Sequence, residues 1–454
     1  MSGRAVVVGG GVAGLATAHR LLRADPSIDL TVFESEPRVG GRLATAEVGG
    51  LELDAGPDSF VARKPWAVEL CRELGLELVE PGARAAFAWT DHGLEPLPPS
   101  ALGVPALVGE LLRWPGLSRA GRLRAIADLV RKPRKDPADE SLGALLRRRL
   151  GDEATERLVA PLLGGLFAGD VDRLDVRSTF PELERWEQAY GSLIRGSKAA
   201  LEAAGDAGPM FVRPADGAAA LPGALLAAIG AERVRTGIQV LAVEPRGITN
   251  VVRSNAGDLE AEGVVVATPA FVAAELVTAA APLRSIPYVS TSVVLLVYPE
   301  GTGNVLPDAT GFVVPSGAAP MTAATFLSRK WPNPAFGDRA IVRCFVGASG
   351  SEDVLAAPDG DIVEAVARHL AAVVDLPERP EASRVVRWPR SMPQYEVGHA
   401  DRVRAVAEAL PPGIFVAGNA YGGVGVADAV RSANEAAERA SAHLAGDRTT
   451  TEPR

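Results

Sequence analysis

The start of the chain constrains the fold most. Ala5 to Val8 is a short, mostly β-branched apolar run, read as a buried parallel strand. It enters Gly9-Gly10-Gly11-Val12-Ala13-Gly14, and an apolar-periodic helix follows from Leu15 to Leu22. In such a strand–turn–helix, Gly9 permits the tight turn, Gly11 lets the backbone approach a pyrophosphate, and Gly14 lets the helix pack on the strand. The helix N-terminus at Val12 and Ala13 offers unpaired N–H groups and the positive end of its dipole to phosphates. Thr31-Val32-Phe33-Glu34 supplies a second strand ending in an acid, 20 residues past Gly14. A carboxylate there accepts hydrogen bonds from ribose hydroxyls and repels a 2′-phosphate, which disfavours NADP. A dinucleotide site is the expectation.

Bulk properties bound the rest. The chain has 454 residues, enough for two or three domains, with 47% apolar and 23% charged residues, as in a globular protein with a large core. The net charge of −9 argues against nucleic acid as a partner. Cys71 and Cys344 form no CxxC, so no redox dithiol or zinc ribbon is written here, and the simplest reading of each is a buried free thiol. The five histidines show no metal-ligand spacing, and no metal site is expected. The glycine-interrupted N-terminus does not read as a signal peptide, and no apolar run reaches the roughly 18–20 residues of a membrane span. A cytoplasmic protein is the default, with peripheral membrane contact left open.

Ser35-Glu36-Pro37-Arg38-Val39-Gly40-Gly41-Arg42 follows Glu34 directly. This second glycine pair with its arginine resembles the flavin-containing amine oxidase superfamily, where the stretch leads from the pyrophosphate toward the isoalloxazine. Gly40 and Gly41 allow close backbone approach, and Arg42 can meet phosphate oxygens as a fork. A matching signal lies at the far end: a strand from Gly413 enters Gly418-Asn419, and Tyr421-Gly422-Gly423-Val424-Gly425-Val426 leads into a helix over Ala427 to Ala442. The resemblance implies that this loop and helix pass under the flavin, the helix N-terminus favouring negative charge on the reduced ring. No cysteine lies near that loop, so the expected FAD is non-covalent.

The resemblance implies an α/β fold: a Rossmann-like FAD-binding domain of the amine oxidase and p-hydroxybenzoate hydroxylase type, with an inserted α+β substrate domain and a helical domain. The FAD domain is expected in three pieces, 1–82, 206–272 and 396–446, with Val240 on its second piece assigned to the cofactor. The substrate domain is expected at 83–97 and 273–395, with an antiparallel sheet suggested by Thr291 to Tyr298 and Arg339 to Gly347. Residues 98–205 make the helical domain, and 447–454 a disordered tail.

The most specific stretch is helical: Asp139-Glu140-Ser141-Leu142, Arg147-Arg148-Arg149-Leu150-Gly151, and Glu156 through Ala160-Pro161-Leu162-Leu163-Gly164-Gly165-Leu166-Phe167-Ala168-Gly169-Asp170. With Asp54-Ala55-Gly56-Pro57-Asp58-Ser59-Phe60 and Gly422 to Val426, it closely resembles the protoporphyrinogen and coproporphyrinogen III oxidases of haem synthesis. What the resemblance implies is a six-electron oxidation of a porphyrinogen in three FAD cycles, with O2 as acceptor and peroxide released, and without a metal. Gly56, Pro57, Asp58 and Ser59 then run close to the flavin, with Gly56 contributing backbone there. Arg63 and Lys64 are candidates for substrate propionates, Lys64 also for tuning the flavin, and Leu166 and Phe167 for the cavity wall. An arginine that some related oxidases use for a substrate carboxylate is matched here by Phe87.

Residues 113–149 hold eleven Arg or Lys against four acids, a run usually read as solvated surface, with lipid contact and substrate steering as alternatives. Four propionates need more cations than two, so the composition leans to coproporphyrinogen III over protoporphyrinogen IX. A flavin amine oxidase, a carotenoid desaturase, and a non-catalytic FAD protein serving haem assembly stand as competing readings. A ferrochelatase-like partner for the product is suggested by pathway logic alone.

Overall fold

The computed structural model describes residues 3–134, 139–205 and 208–450, with side chains to 446. Lys135 of the basic run and the whole of the expected tail lie outside the described side chains.

The strand Arg4–Val8 sits in the middle of a five-stranded parallel sheet. Asp29–Phe33 and then Val234–Arg235 lie on one side of it, Gly263–Val266 and Ile414–Val416 on the other. Ala5 and Val7 face one apolar cluster and Val6 and Val8 another, so the strand is buried on both faces, as its unbroken apolar run requires. One face is covered by three helices, Val12–Ala24, Ala220–Ile229 and Val426–Thr450. Alanines 433, 436, 437 and 440 let the last of these lie close against the first. The other face carries the antiparallel meander Val240–Arg246, Thr249–Ser254, Gly257–Ala261 and the helix Ala270–Leu276.

A second sheet has seven strands, in the order Ala382–Pro393, Tyr288–Glu300, Arg339–Val346, Ala323–Phe326, Gly311–Val313, Phe87–Thr90, Gly93–Pro96. It is antiparallel except where Gly311–Val313 runs parallel to Phe87–Thr90. The long strand Tyr288–Glu300 alternates cleanly. Val294, Leu296 and Tyr298 face the helix Asp359–Val373, while Val293, Leu295 and Val297 face Val48, Leu53 and Trp331.

The helical part, from Val108–Arg113 to Leu193–Ala204, packs Leu142, Leu145, Leu146, Phe167 and Leu183 into its own core. Ser141 caps Leu142–Leu150 by accepting from the Ala144 N–H. Here Arg147, Arg148 and Arg149 depart from the expected solvated surface, whereas Arg113, Arg119, Arg131, Lys132 and Arg134 are exposed as expected. Arg149 is fully buried, with Nε 2.5 Å from Asp128 Oδ1 and Nη2 on the carbonyls of Asp128 and Gly191. Arg148 is paired with Glu140 and Glu187, and Arg147 with Asp172. Asp128 and Glu140 belong to the run itself, and Asp172 and Glu187 reach in from beyond it, so the charge of these three arginines is neutralised in space.

Candidate functional site

The first glycine turn is shaped by its own backbone. Gly9 has φ of 109°, and a Cβ there would lie 2.8 Å from the Ala267 carbonyl oxygen. A Cβ on Gly14 would fall 1.8 Å from the Gly9 oxygen. At Gly11 a Cβ would meet no heavy atom within 4 Å, although Gly11 begins the helix Val12–Ala24 without any capping side chain. The turn therefore leaves open space beside Gly11 at the helix N-terminus, whose first N–H groups have no intrahelical acceptor.

Glu34 ends the second strand, buried, with Oε2 accepting from the Gly10 N–H at 2.7 Å and Oε1 from the Glu36 N–H at 2.8 Å. Exposed Ser35 donates to the same carboxylate. The second glycine pair lies directly against the first, Gly40 bridging to Gly11 and donating to the Gly10 oxygen at 2.8 Å. Arg42 follows. Its guanidinium reaches one acceptor, the Arg390 carbonyl, at 3.3 Å, and burial holds it below the ordinary arginine range. A desolvated fork with so little to bind is suited to an anion.

Gly56 packs against Arg42 so closely that a Cβ would lie 1.8 Å from the Arg42 oxygen. Pro57 is exposed, but Asp58 turns inward. Its carboxylate meets Lys330 Nζ at 3.0 Å, Trp331 Nε1 at 2.9 Å and Arg343 Nη2 at 3.0 Å, with Ser59 alongside. Burial alone would raise the Asp58 pKa, yet Arg343 and Lys330 hold it far below the carboxylate range. Burial, helped by the like charge of Arg343 and Arg213, depresses Lys330 despite Asp58. Arg213 pairs with buried Asp54 at 3.0 Å, and Arg343 also donates to the Gly56 carbonyl at 2.8 Å.

The C-terminal loop closes the site. Gly418 (φ 131°) donates to Ser432 Oγ. Tyr395 Oη donates to the Asn419 carbonyl at 2.5 Å and accepts from the Gly423 N–H at 2.8 Å. Val424 packs on the helical core and Val426 on the nucleotide-side core, with Gly425 between them. Lys64 pairs with Asp428, two residues past Val426, while Arg63 is exposed. Phe167 is 4% exposed, packed edge-on to Phe180 and Tyr395, whereas Leu166 is 55% exposed. Val240 is buried at the start of its strand, beside a bulge.

The structure thus brings residues 9–14, 34, 40–42 and 56 into one continuous backbone surface, and joins 56–64 to 418–428 through side chains. Sequence reasoning missed Asp428, Tyr395, Lys330, Trp331 and Arg343. Asp428 had a signal, an acid in the first turn of an expected helix; the others, remote in sequence, had none.

A parallel sheet with a glycine-built open cradle, joined through Asp58 to a second, mainly antiparallel sheet, defines a dinucleotide-dependent oxidoreductase scaffold. The family model for flavin-containing amine oxidoreductases matches residues 12–441, and the chain belongs to that family. A coproporphyrinogen III oxidase of Bacillus subtilis is 32% identical, over 97% of this chain and 98% of its own length. One of Mycobacterium tuberculosis H37Rv is 34% identical over 95% of both chains. A solved protein of Exiguobacterium sp. 255-15, described as a protoporphyrinogen oxidase, superposes with a TM-score of 0.88 at 30% identity, covering 97% of this chain and 99% of its own. Among the described residues no helix is long and apolar enough to cross a membrane, and no cluster suited to a metal ion occurs.

Proposed function

We propose that this protein is an FAD-dependent coproporphyrinogen III oxidase, forming coproporphyrin III with three O2 reduced to three H2O2. The observation that carries the reading is the near-full-length similarity to bacterial relatives of that name. When bound, FAD supplies two-electron acceptance and return of those electrons to O2.

The chain's own groups serve to bind and orient. The open space at Gly11 would take the pyrophosphate near the N–H groups of Val12, Ala13 and Gly14, and Arg42 would supply the positive charge it needs. Glu34 keeps lone pairs for ribose hydroxyls while its backbone bonds hold it still. Gly418, Asn419, Val424, Gly425 and Val426, with Gly56, Pro57 and Ser59, would hold the ring system, while Gly9, Gly40 and Gly41 would let the backbone approach the phosphates. Val240 would hold another part of the cofactor. Asp58 acts through its place in the loop, because its side chain is occupied. Arg63 and Lys64 meet propionates at the open side, exposed Leu166 supplies apolar wall, and Phe167 backs it. Aromaticity of the product drives the reaction, so positioning and exclusion of water are what the protein adds.

Peripheral membrane contact is supported by exposed Leu107 and Leu112 just before the basic stretch and Leu123 and Val130 within it. Hand-over to a ferrochelatase-like partner follows only from the nature of the product.

The test is porphyrin fluorescence in air with coproporphyrinogen III and protoporphyrinogen IX, after bound flavin is confirmed by absorbance. A clearly higher kcat/KM for coproporphyrinogen III is expected. Preference for protoporphyrinogen IX would overturn the substrate, and oxidation of neither would overturn the proposal.

A further inference from the structure

Lys64 and Asp428 are 364 residues apart and meet as a two-pronged ion pair, with Nζ 2.8 and 2.7 Å from the two carboxylate oxygens. Lys64 ends the loop that begins at Gly56 and sits at the N-cap of the helix Pro65–Glu73. Asp428 stands in the first turn of Val426–Thr450. The lysine side chain is 44% exposed and the aspartate 9%.

Asp428 has little freedom. A Cβ on Gly423 would lie 2.4 Å from its Cγ, and one on Gly425 would lie 3.1 Å from its Oδ2, so the carboxylate rests on the loop backbone. An ammonium has three donors. The carboxylate holds the ammonium from the buried side, which leaves donor capacity facing the exposed side. The pair as a whole carries no net charge.

We infer that Asp428 is a positioning residue that aims Lys64 at a substrate carboxylate and cancels its charge beside the loop of residues 418–426. The inference rests on the reading given under Proposed function and adds a residue to it. An unheld lysine would spread over many rotamers and offer a loose charge instead of an oriented donor. An unbalanced charge of either sign at this loop would bias the electron affinity of a flavin resting on it.

The experiment is a double-mutant cycle in the full-length, FAD-loaded enzyme: Asp428→Asn, Lys64→Gln and both together. Two quantities are read, the flavin midpoint potential and the KM and kcat for coproporphyrinogen III. Asp428→Asn, which leaves an unpaired ammonium, is expected to raise the potential, and Lys64→Gln, which leaves an unpaired carboxylate, to lower it. The double variant should return close to the wild-type value. Lys64→Gln should raise KM about tenfold, as loss of one charge-assisted bond does. Asp428→Asn should raise KM severalfold but add nothing on the Lys64→Gln background. kcat should change less than KM.

Single variants that leave the potential unmoved, or move it the same way, would overturn the inference. So would a double variant whose KM change equals the product of the two single changes. If the wild-type enzyme oxidises no porphyrinogen, the proposed function fails, and the potentials still decide the pairing. Should Asp428→Asn fail to retain FAD, Asp428→Ser makes the same charge change with less bulk.

Discussion

Tyr395 is almost wholly buried, and its hydroxyl is committed in both directions to the C-terminal glycine loop. His399 lies flat on its ring, with centroids 3.9 Å apart and planes 12° from parallel. Burial, helped by the charge of Arg402, pushes the His399 imidazole down to about 4 from an ordinary 6.5. Between those two values the unfolded chain binds a proton that the folded chain refuses. Stability is therefore complete above about pH 6.5 and is lost as pH falls toward 4. A shift of this size corresponds to about 3 kcal/mol. Burial also lowers His19 and His369, and both act with the same sign. Urea unfolding should thus show stability falling from pH 7 to pH 5, and His399→Gln, neutral throughout, should remove the largest single part of that slope. An unaltered slope in the variant would place the effect elsewhere.

The glycine turn works as one element because each of its glycines answers to a different neighbour. Gly14 faces the Gly9 carbonyl with no room for a methyl group, whereas Gly11 faces open space at an ordinary extended backbone angle (φ −70°). Gly14→Ala should therefore disrupt the strand–helix packing and lower the thermal midpoint of the apoprotein. Gly11→Ala should leave that midpoint unchanged and weaken FAD about tenfold to a hundredfold, or roughly 1.4–2.8 kcal/mol. A Gly11→Ala protein that holds FAD normally would show that the phosphates lie elsewhere. This turn was legible in the sequence because its constraints are local: strand, turn and helix lie within 24 residues. The long strands Tyr288–Glu300 and Arg339–Val346 were legible for the same reason, as β-branched runs. Their order was not, because Tyr288–Glu300 pairs with segments up to about a hundred residues away, and periodicity carries no record of a partner. At Arg147, Arg148 and Arg149 the solvated-surface reading failed for a different reason. Counting charge along the chain cannot show that Glu187 reaches Arg148, or that Asp128 reaches Arg149.

At the scale of the molecule, Asp58 fastens the loop near the nucleotide cradle to the substrate-side sheet. It could be singled out as a motif residue, but Lys330, Trp331 and Arg343 enter from more than 270 positions away. The cluster buries two carboxylates, Asp54 and Asp58, with three cations, Arg213, Lys330 and Arg343. It therefore holds one excess positive charge, and burial lowers the pKa of both Lys330 and Arg213. Removing one cation should relieve that excess, whereas removing a carboxylate should deepen it. Lys330→Met leaves two charges of each sign, with Asp58 still bonded to Arg343 and Trp331, and should change stability by less than about 1 kcal/mol. Asp58→Asn leaves three cations with one carboxylate and should cost about 3–5 kcal/mol, with the double variant recovering part of the loss. Thermal and urea unfolding of the FAD-loaded protein would measure all three. If Lys330→Met proved as damaging as Asp58→Asn, the hydrogen bonds of the lysine would outweigh the charge balance, and the cluster would owe its stability to geometry.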